Sequence, residues 1–150
     1  MIADRLARAL EIAAAALLMA LMAVTVIDVV GRYLLKTPLA GAFELTELLL
    51  SALVFCALPL VSRARGHVEV DLLVGRLPAG MARALGIAAA AISAVALLYF
   101  AWRLAIVALD LLATGARSNA LAIPFAPFAA FGALACVLAA ALGVLRETGR

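Results

Sequence analysis

Two carboxylates stand at the start of a leucine-rich stretch, in the segment ELTELLLSALVF at 44–55. Glu44 and Glu47 are three positions apart, so a helix would carry them on one face. Three interpretations are open. The acids can sit at headgroup level, where the dipole of a helix N-terminus favours them. One can pair with Arg32 or with a partner protein. They can also bind a proton or cation, because an acid inside a membrane needs compensation.

A second candidate for chemistry is the polar segment 63–78, RARGHVEVDLLVGRLP. On an extended backbone His67, Glu69 and Asp71 would point to one side, as metal ligands do. The sequence supplies no further converging ligands or supporting shell, so we expect no metal site. The apolar residues of 68–77 instead favour a short segment at the membrane interface. The basic residues available there for anionic lipid and for topology are Arg63, Arg65, Arg76 and Arg83.

The remaining reactive residues are few. Cys56 and Cys136 both fall inside apolar runs without a basic neighbour, which predicts small packing residues and not thiolates or a disulfide. His67 is the single histidine, whereas a haem-binding membrane anchor usually needs paired histidines. We therefore expect no cofactor.

The composition is that of an integral membrane protein. Hydrophobic residues make up 69% of the 150 residues and charged residues 14%, and the mean hydropathy is +1.23. Soluble domains carry roughly 45–50% apolar and about 25% charged residues. The net charge of +3 forms no basic tract with interleaved aromatics, so we expect no nucleic-acid partner.

Four stretches without charge predict four transmembrane helices in two hairpins. They are 12–27, 48–62, 84–102 and 118–145, and a span needs roughly 20 apolar residues. The first exceeds the apolar region of a signal peptide, so we expect it to be retained. The prediction is an all-α membrane protein with a single domain over 1–150 and a cytoplasmic loop at 63–81. The predicted helices are 9–31, 43–62, 82–104 and 123–145.

The basic residues predict the topology. By the positive-inside rule, both termini and the loop 63–81 are cytoplasmic. That side carries Arg5, Arg8, Arg63, Arg65, Arg76, Arg83, Arg146 and Arg150, against Arg32, Lys36, Arg103 and Arg117 on the other. Aromatic residues favour membrane interfaces, and all except Phe55 fall near the predicted outer helix ends. The outer aromatics are Tyr33, Phe43, Tyr99, Phe100, Trp102, Phe125, Phe128 and Phe131.

The segment 32–78 resembles the small permease subunit of TRAP transporters, the DctQ-like family. In that family an arginine ends the first helix, and Pro–Leu and a glycine precede a glutamate-containing helix. A Gly–His–Val/Ile–x–Val–Asp stretch followed by Leu–Pro lies in the cytoplasmic loop. Phe43 replaces a tryptophan that many members have. The matching residues, which we take as candidates for structural or partner contacts, are Arg32, Pro38, Gly41, Glu44, Glu47, Gly66, His67, Val68, Val70, Asp71, Leu77 and Pro78.

The resemblance implies a multi-pass subunit of the bacterial inner membrane that is not an enzyme. Its partners would be a large permease subunit, a periplasmic substrate-binding protein and membrane lipids. The complex would take up an organic acid anion with sodium, and the sodium and substrate sites would lie in the large subunit. The small subunit would widen the static scaffold and help to dock the binding protein. The helices also lack the Gly/Pro-interrupted midplane segments of a transport site.

Two other functions remain open. One is the small subunit of a different tripartite uptake system. The other is a four-helix exporter that works as a homodimer and uses an intramembrane glutamate. Such an exporter would need an acid near a helix midpoint, whereas Glu11, Glu44 and Glu47 fall near the predicted helix ends.

Overall fold

Four long helices form the fold, and the prediction of an all-α protein with four membrane-spanning helices is confirmed. The computed structural model describes residues 2–64 and 79–148. The helices are α1 (Ile2–Tyr33), α2 (Ala42–Ala64), α3 (Ala79–Thr114) and α4 (Ala126–Thr148). Each contains a stretch long and apolar enough to cross a membrane.

The helices are arranged as a row. Among the described residues, extensive contacts join three pairs of helices: α1 with α2, α2 with α4, and α4 with α3. The two hairpins are therefore joined through α2 and α4, while α1 and α3 form the two flanks. Most side chains on the flanking helices are exposed, so their apolar faces are available to lipid or to another protein.

Most residues on α1 that are wholly or partly buried recur at alternating spacings of three and four, and the partly buried Ala13 and Ala20 lie beside this series. A helix that packs along one side of a partner helix with a left-handed crossing shows this 3.5-residue period. The series is mostly alanine and leucine, and it ends in a charged residue and a glycine at the loop 34–41. Its members are Ala7, Leu10, Ala14, Leu17, Leu21, Val24, Asp28 and Gly31.

Small side chains dominate the buried residues of α2 and α4. Without water to expel, membrane helices associate through close packing, which small residues permit. Both cysteines are buried and unbonded, so their prediction as packing residues is confirmed. Pro59 is fully buried, and the helix continues through it although a proline has no N–H to donate to Phe55. The buried residues of the two helices are Ala42, Leu48, Cys56, Pro59, Ser62, Ala126, Ala129, Gly132, Ala135, Cys136, Ala139 and Ala140.

Phe55 of α2 packs directly over Gly132 of α4. A Cβ added at Gly132 would lie 2.5 Å from Cζ of the Phe55 ring. The same ring makes an edge-to-face contact with Phe131, with 6.5 Å between centroids. Phe55, the aromatic that the sequence placed away from the outer helix ends, therefore fills a notch that a glycine leaves between the two hairpins.

The third helix is longer than predicted. It continues past 104 to Thr114 because Arg103 and Asp110 are exposed and do not interrupt it. Gly115 then ends it with φ +63°. The amide of Ala116 donates to the carbonyl of Leu111 at 3.3 Å, the bond of a Schellman C-cap. With 36 residues, α3 is ~54 Å long, well beyond the ~30 Å hydrocarbon core.

The aromatics of α3 lie far from the outer end of this helix, because α3 ends at Thr114 and not at the predicted 104. The amide of Phe125 donates to the carbonyl of Ala116 at 3.3 Å, which places the end of α3 level with the start of α4. Tyr99 and Trp102 then lie ~18–22 Å along the axis below that level. They contact each other, with ring centroids 6.0 Å apart.

Several predicted residues lie outside the described part of the chain. They belong to the cytoplasmic loop and its proposed interfacial segment, which stays a prediction. The residues are Arg65, Gly66, His67, Val68, Val70, Asp71, Arg76, Leu77 and Pro78, and the side chains of Arg63 and Arg83 are likewise not described.

Candidate functional site

The segments 34–41 and 115–125 lie at the same end of the four helices, which we call the loop end. The segment 115–125 is tightly folded on itself. The Ser118 amide donates to the carbonyl of Ile123 at 2.9 Å, and the amide of Ile123 donates to Oγ of Ser118 at 3.2 Å. Ser118 is buried, with 5% of its surface exposed. Its side chain therefore closes the turn from inside, and the outward backbone amides of the neighbouring residues become available to other elements.

The carboxylate of Glu44 binds those amides. Its two carboxylate oxygens accept from the Ala120 amide at 2.9 and 3.0 Å, and one of them accepts from the Leu121 amide at 3.1 Å. Consecutive amides that point the same way form an anion-binding concavity. The donors are 76 and 77 residues away along the chain, so this carboxylate fastens the first turn of α2 to the α3–α4 hairpin.

An apolar contact reinforces the same junction. Gly41 precedes α2 with φ +76°, a left-handed conformation that glycine adopts without strain. A Cβ at this position would lie 2.7 Å from Cγ of Leu121. Leu121 therefore covers Gly41, while its own amide binds Glu44. Gly41 is required here because its backbone is left-handed and because a side chain would collide with Leu121.

Arg32 pairs within its own helix. Its Nη2 donates to Oδ2 of Asp28 at 2.7 Å, as their spacing of four on one helix face allows. Oδ1 of Asp28 accepts from the amide of Leu39 at 3.2 Å, so Asp28 also ties down the segment 34–41. Pro38 lies in this segment and lines a shallow apolar groove with Val26. Among the described residues neither Glu44 nor Glu47 contacts Arg32, so the interpretation that one of them pairs with this arginine was wrong.

The two glutamates therefore have different environments. Glu44 is partly buried and fully engaged, whereas Glu47 is exposed and makes no hydrogen bond or ion pair with any residue in 2–64 or 79–148. Two backbone N–H donors make three hydrogen bonds to the Glu44 oxygens, an arrangement that holds a loop and not a cation. Within the described ranges, no three His, Cys, Asp or Glu side chains come together as metal ligands would.

Sequence reasoning missed the partners of Glu44. Ala120 and Leu121 act through their backbone amides, and their side chains give no hint of it. The stretch TGARSN at 114–119 is rich in turn-forming residues and could have marked a structured turn. Nothing in the sequence links that turn to the start of α2.

Loss of the Glu44 carboxylate should release the segment 115–125. We expect Glu44→Ala to lower the melting temperature of the purified chain and to speed amide hydrogen exchange in a peptide covering 115–125. Glu44→Gln should have a smaller effect, because the amide keeps one oxygen acceptor and adds an N–H₂ that faces the same donors. Glu47→Gln is the matched control. Unchanged exchange in Glu44→Ala would contradict the anchoring role.

Comparison with known proteins agrees with this architecture. No curated protein matches the chain. Residues 21–148 match the family described as "Tripartite ATP-independent periplasmic transporters, DctQ component", and the matched range includes both loop-end segments and Glu44. This family is an inner-membrane transporter component and not an enzyme family. The chain therefore belongs to the DctQ family of small TRAP-transporter subunits, as the resemblance of the segment 32–78 predicted.

Proposed function

We propose that this chain is the scaffold subunit that packs beside the large permease of a TRAP transporter. The large subunit would carry the sodium and substrate sites, and a periplasmic binding protein would deliver an organic acid anion to it. The observation that carries this proposal is the open row of helices. Because α1 and α3 each pack extensively against one neighbour among the described residues, the row keeps exposed apolar surface, part of which a second membrane protein can cover.

Rigidity of the loop end supports a static role. Glu44 fastens α2 to the far hairpin, Asp28 fastens the segment 34–41, and Leu121 covers Gly41. These contacts hold α2, the segment 34–41 and the segment 115–125 together. A transport domain that moved these elements relative to one another would have to break the contacts. The helix α2 also continues unbroken through Pro59, unlike the interrupted helices that build transport sites.

For topology, we propose that both termini are cytoplasmic and that the loop end faces the periplasm. The excess of arginine at the termini and in 63–83 supports this orientation. The folded segment 115–125 would then lie on the side from which the binding protein approaches. Accessibility labelling of a cysteine introduced at Asn119, compared with one near the C-terminus, would test the orientation.

Co-expression with the large permease subunit tests the proposed function. A tagged form of this chain should retain the large subunit through purification in mild detergent. Proteoliposomes should take up the organic acid only when both subunits, the binding protein and a sodium gradient are present. Transport by the purified chain alone would refute the scaffold role and favour the exporter alternative.

Variants at the loop end should reduce uptake through assembly. We expect Arg32→Ala and Glu47→Ala to lower uptake in proportion to the yield of complex, because neither side chain is a substrate ligand in this proposal. The ratio of uptake rates for two competing substrates should stay that of the wild type. A changed substrate preference at normal complex yield would contradict this assignment.

A further inference from the structure

We propose that one exposed stripe of α2 is the surface on which a transmembrane helix of the large subunit docks. That helix would carry an arginine or lysine that pairs with Glu47. The inference rests on the proposed function, since it names the face and the charge by which the scaffold holds its partner. The stripe, called the α2 stripe below, consists of Phe43, Glu47, Leu50, Val54 and Val61.

Its geometry is that of a helix–helix seam. The exposed positions 43, 47, 50, 54 and 61 follow the 3.5-residue period that packed membrane helices share. Elsewhere α2 is covered on two sides by α1 and α4. The apolar members of the stripe are substantially open, with Phe43 81%, Leu50 51% and Val54 50% exposed. One face of α2 is thus left largely uncovered, with only Ala57, between Val54 and Val61, partly buried.

The depth of Glu47 makes this face unsuited to lipid. Between Glu47 and Arg63 the uncharged part of α2, residues 48–62, is only ~22 Å long. The hydrocarbon core is ~30 Å thick, so with Arg63 at one boundary of the core, Glu47 lies ~6 Å inside the other boundary. A charge there is costly unless it is paired, and the side chains long enough to reach the headgroups are those of lysine and arginine.

The neighbouring acids at this level are already satisfied inside the chain. Asp28 binds Arg32 and the Leu39 amide, and Glu44 binds two loop amides. Glu47 has no such partner among residues 2–64 and 79–148, so charge complementarity points to a cation on the docking helix. A second copy of this chain is a poorer occupant, because two-fold self-docking on the stripe brings one Glu47 towards the other.

Photo-crosslinking of the co-expressed complex tests the docking face. A photoreactive amino acid at Leu50 or Val54 should crosslink to the large subunit with several-fold higher yield than one at Ile92 or Val95. These two control residues on α3 are equally apolar and are 72% and 70% exposed. Equal or higher yield from α3 would overturn the proposal. Products from Leu50 and Val54 that are only lipid adducts or self-crosslinks would also overturn it.

Charge reversal tests the role of Glu47. Glu47→Lys should lower the recovery of the large subunit at least several-fold, whereas Asp110→Lys, at an exposed acid of α3, should leave recovery unchanged. Each variant purified alone should elute and melt as the wild type does, which separates docking from misfolding. Normal recovery with Glu47→Lys would overturn the inference. Failure of the wild-type chain to retain the large subunit would instead overturn the proposed function.

Discussion

Replacing Gly132 by leucine will destabilise the chain, because the new side chain must occupy the space filled by the Phe55 ring. A Cβ alone would lie 2.5–2.8 Å from three atoms of that ring. Phe55 would have to leave its notch and give up the edge-to-face contact with Phe131. Overpacking of this kind costs ~1–3 kcal/mol. The expected result is a lower melting temperature of the purified protein in detergent.

Gly143 provides the matched control on the same helix. A Cβ at Gly143 meets no atom within 4 Å, and leucine has a higher helix propensity than glycine by up to ~1 kcal/mol. Gly143→Leu should therefore be neutral or stabilising, opposite in sign to Gly132→Leu. Adding Phe55→Ala to Gly132→Leu should recover part of the loss, since it empties the contested space. Equal effects at the two glycines would show that the notch does not join the hairpins.

The second large effect is expected at Gly41. With φ at +76°, alanine at this position pays ~1–2 kcal/mol for the left-handed backbone. Its Cβ would also lie 2.7 Å from Cγ of Leu121, so the leucine must move off the start of α2. We expect Gly41→Ala to lower the melting temperature and to loosen the segment 115–125, as judged by hydrogen exchange.

A variant at Gly115 separates the cost of the left-handed backbone from the cost of displacing Leu121. Gly115 has a similar φ of +63°, but a Cβ there has nothing within 4 Å. Gly115→Ala should thus show the backbone cost alone. Leu121→Ala in the Gly41→Ala background should bring the loss down to the level of Gly115→Ala. If both single variants lost the same stability, the Leu121 contact would contribute nothing.

The number and kind of helices were predictable because the hydrocarbon core imposes a length on each apolar run. The stretches 12–27, 48–62, 84–102 and 118–145 each mark one observed helix. Their ends were harder to predict. The charge-free stretch 84–102 placed the end of α3 at 104, but the exposed Arg103 beyond it does not terminate the helix. The signal that mattered was Gly115, whose left-handed backbone caps the helix at Thr114.

Pairings close in the chain were also predictable, since helical geometry fixes them. Asp28 and Arg32 are four residues apart and form the ion pair that this spacing allows. The arrangement of the hairpins was not, because the notch at Gly132 and the small residues of α2 and α4 act only after the helices meet. No spacing in the sequence relates Phe55 to Gly132.

The two glutamates show what could not be predicted from the sequence. By itself the sequence determined that Glu44 and Glu47 occupy the first turns of a membrane helix, and its motif at 32–78 indicated the family. Only the tertiary structure decided which glutamate is bound and which is left exposed. The physical reason is that the donors to Glu44 are backbone amides of Ala120 and Leu121. Every residue has such groups, so only the folded turn can aim them at a carboxylate.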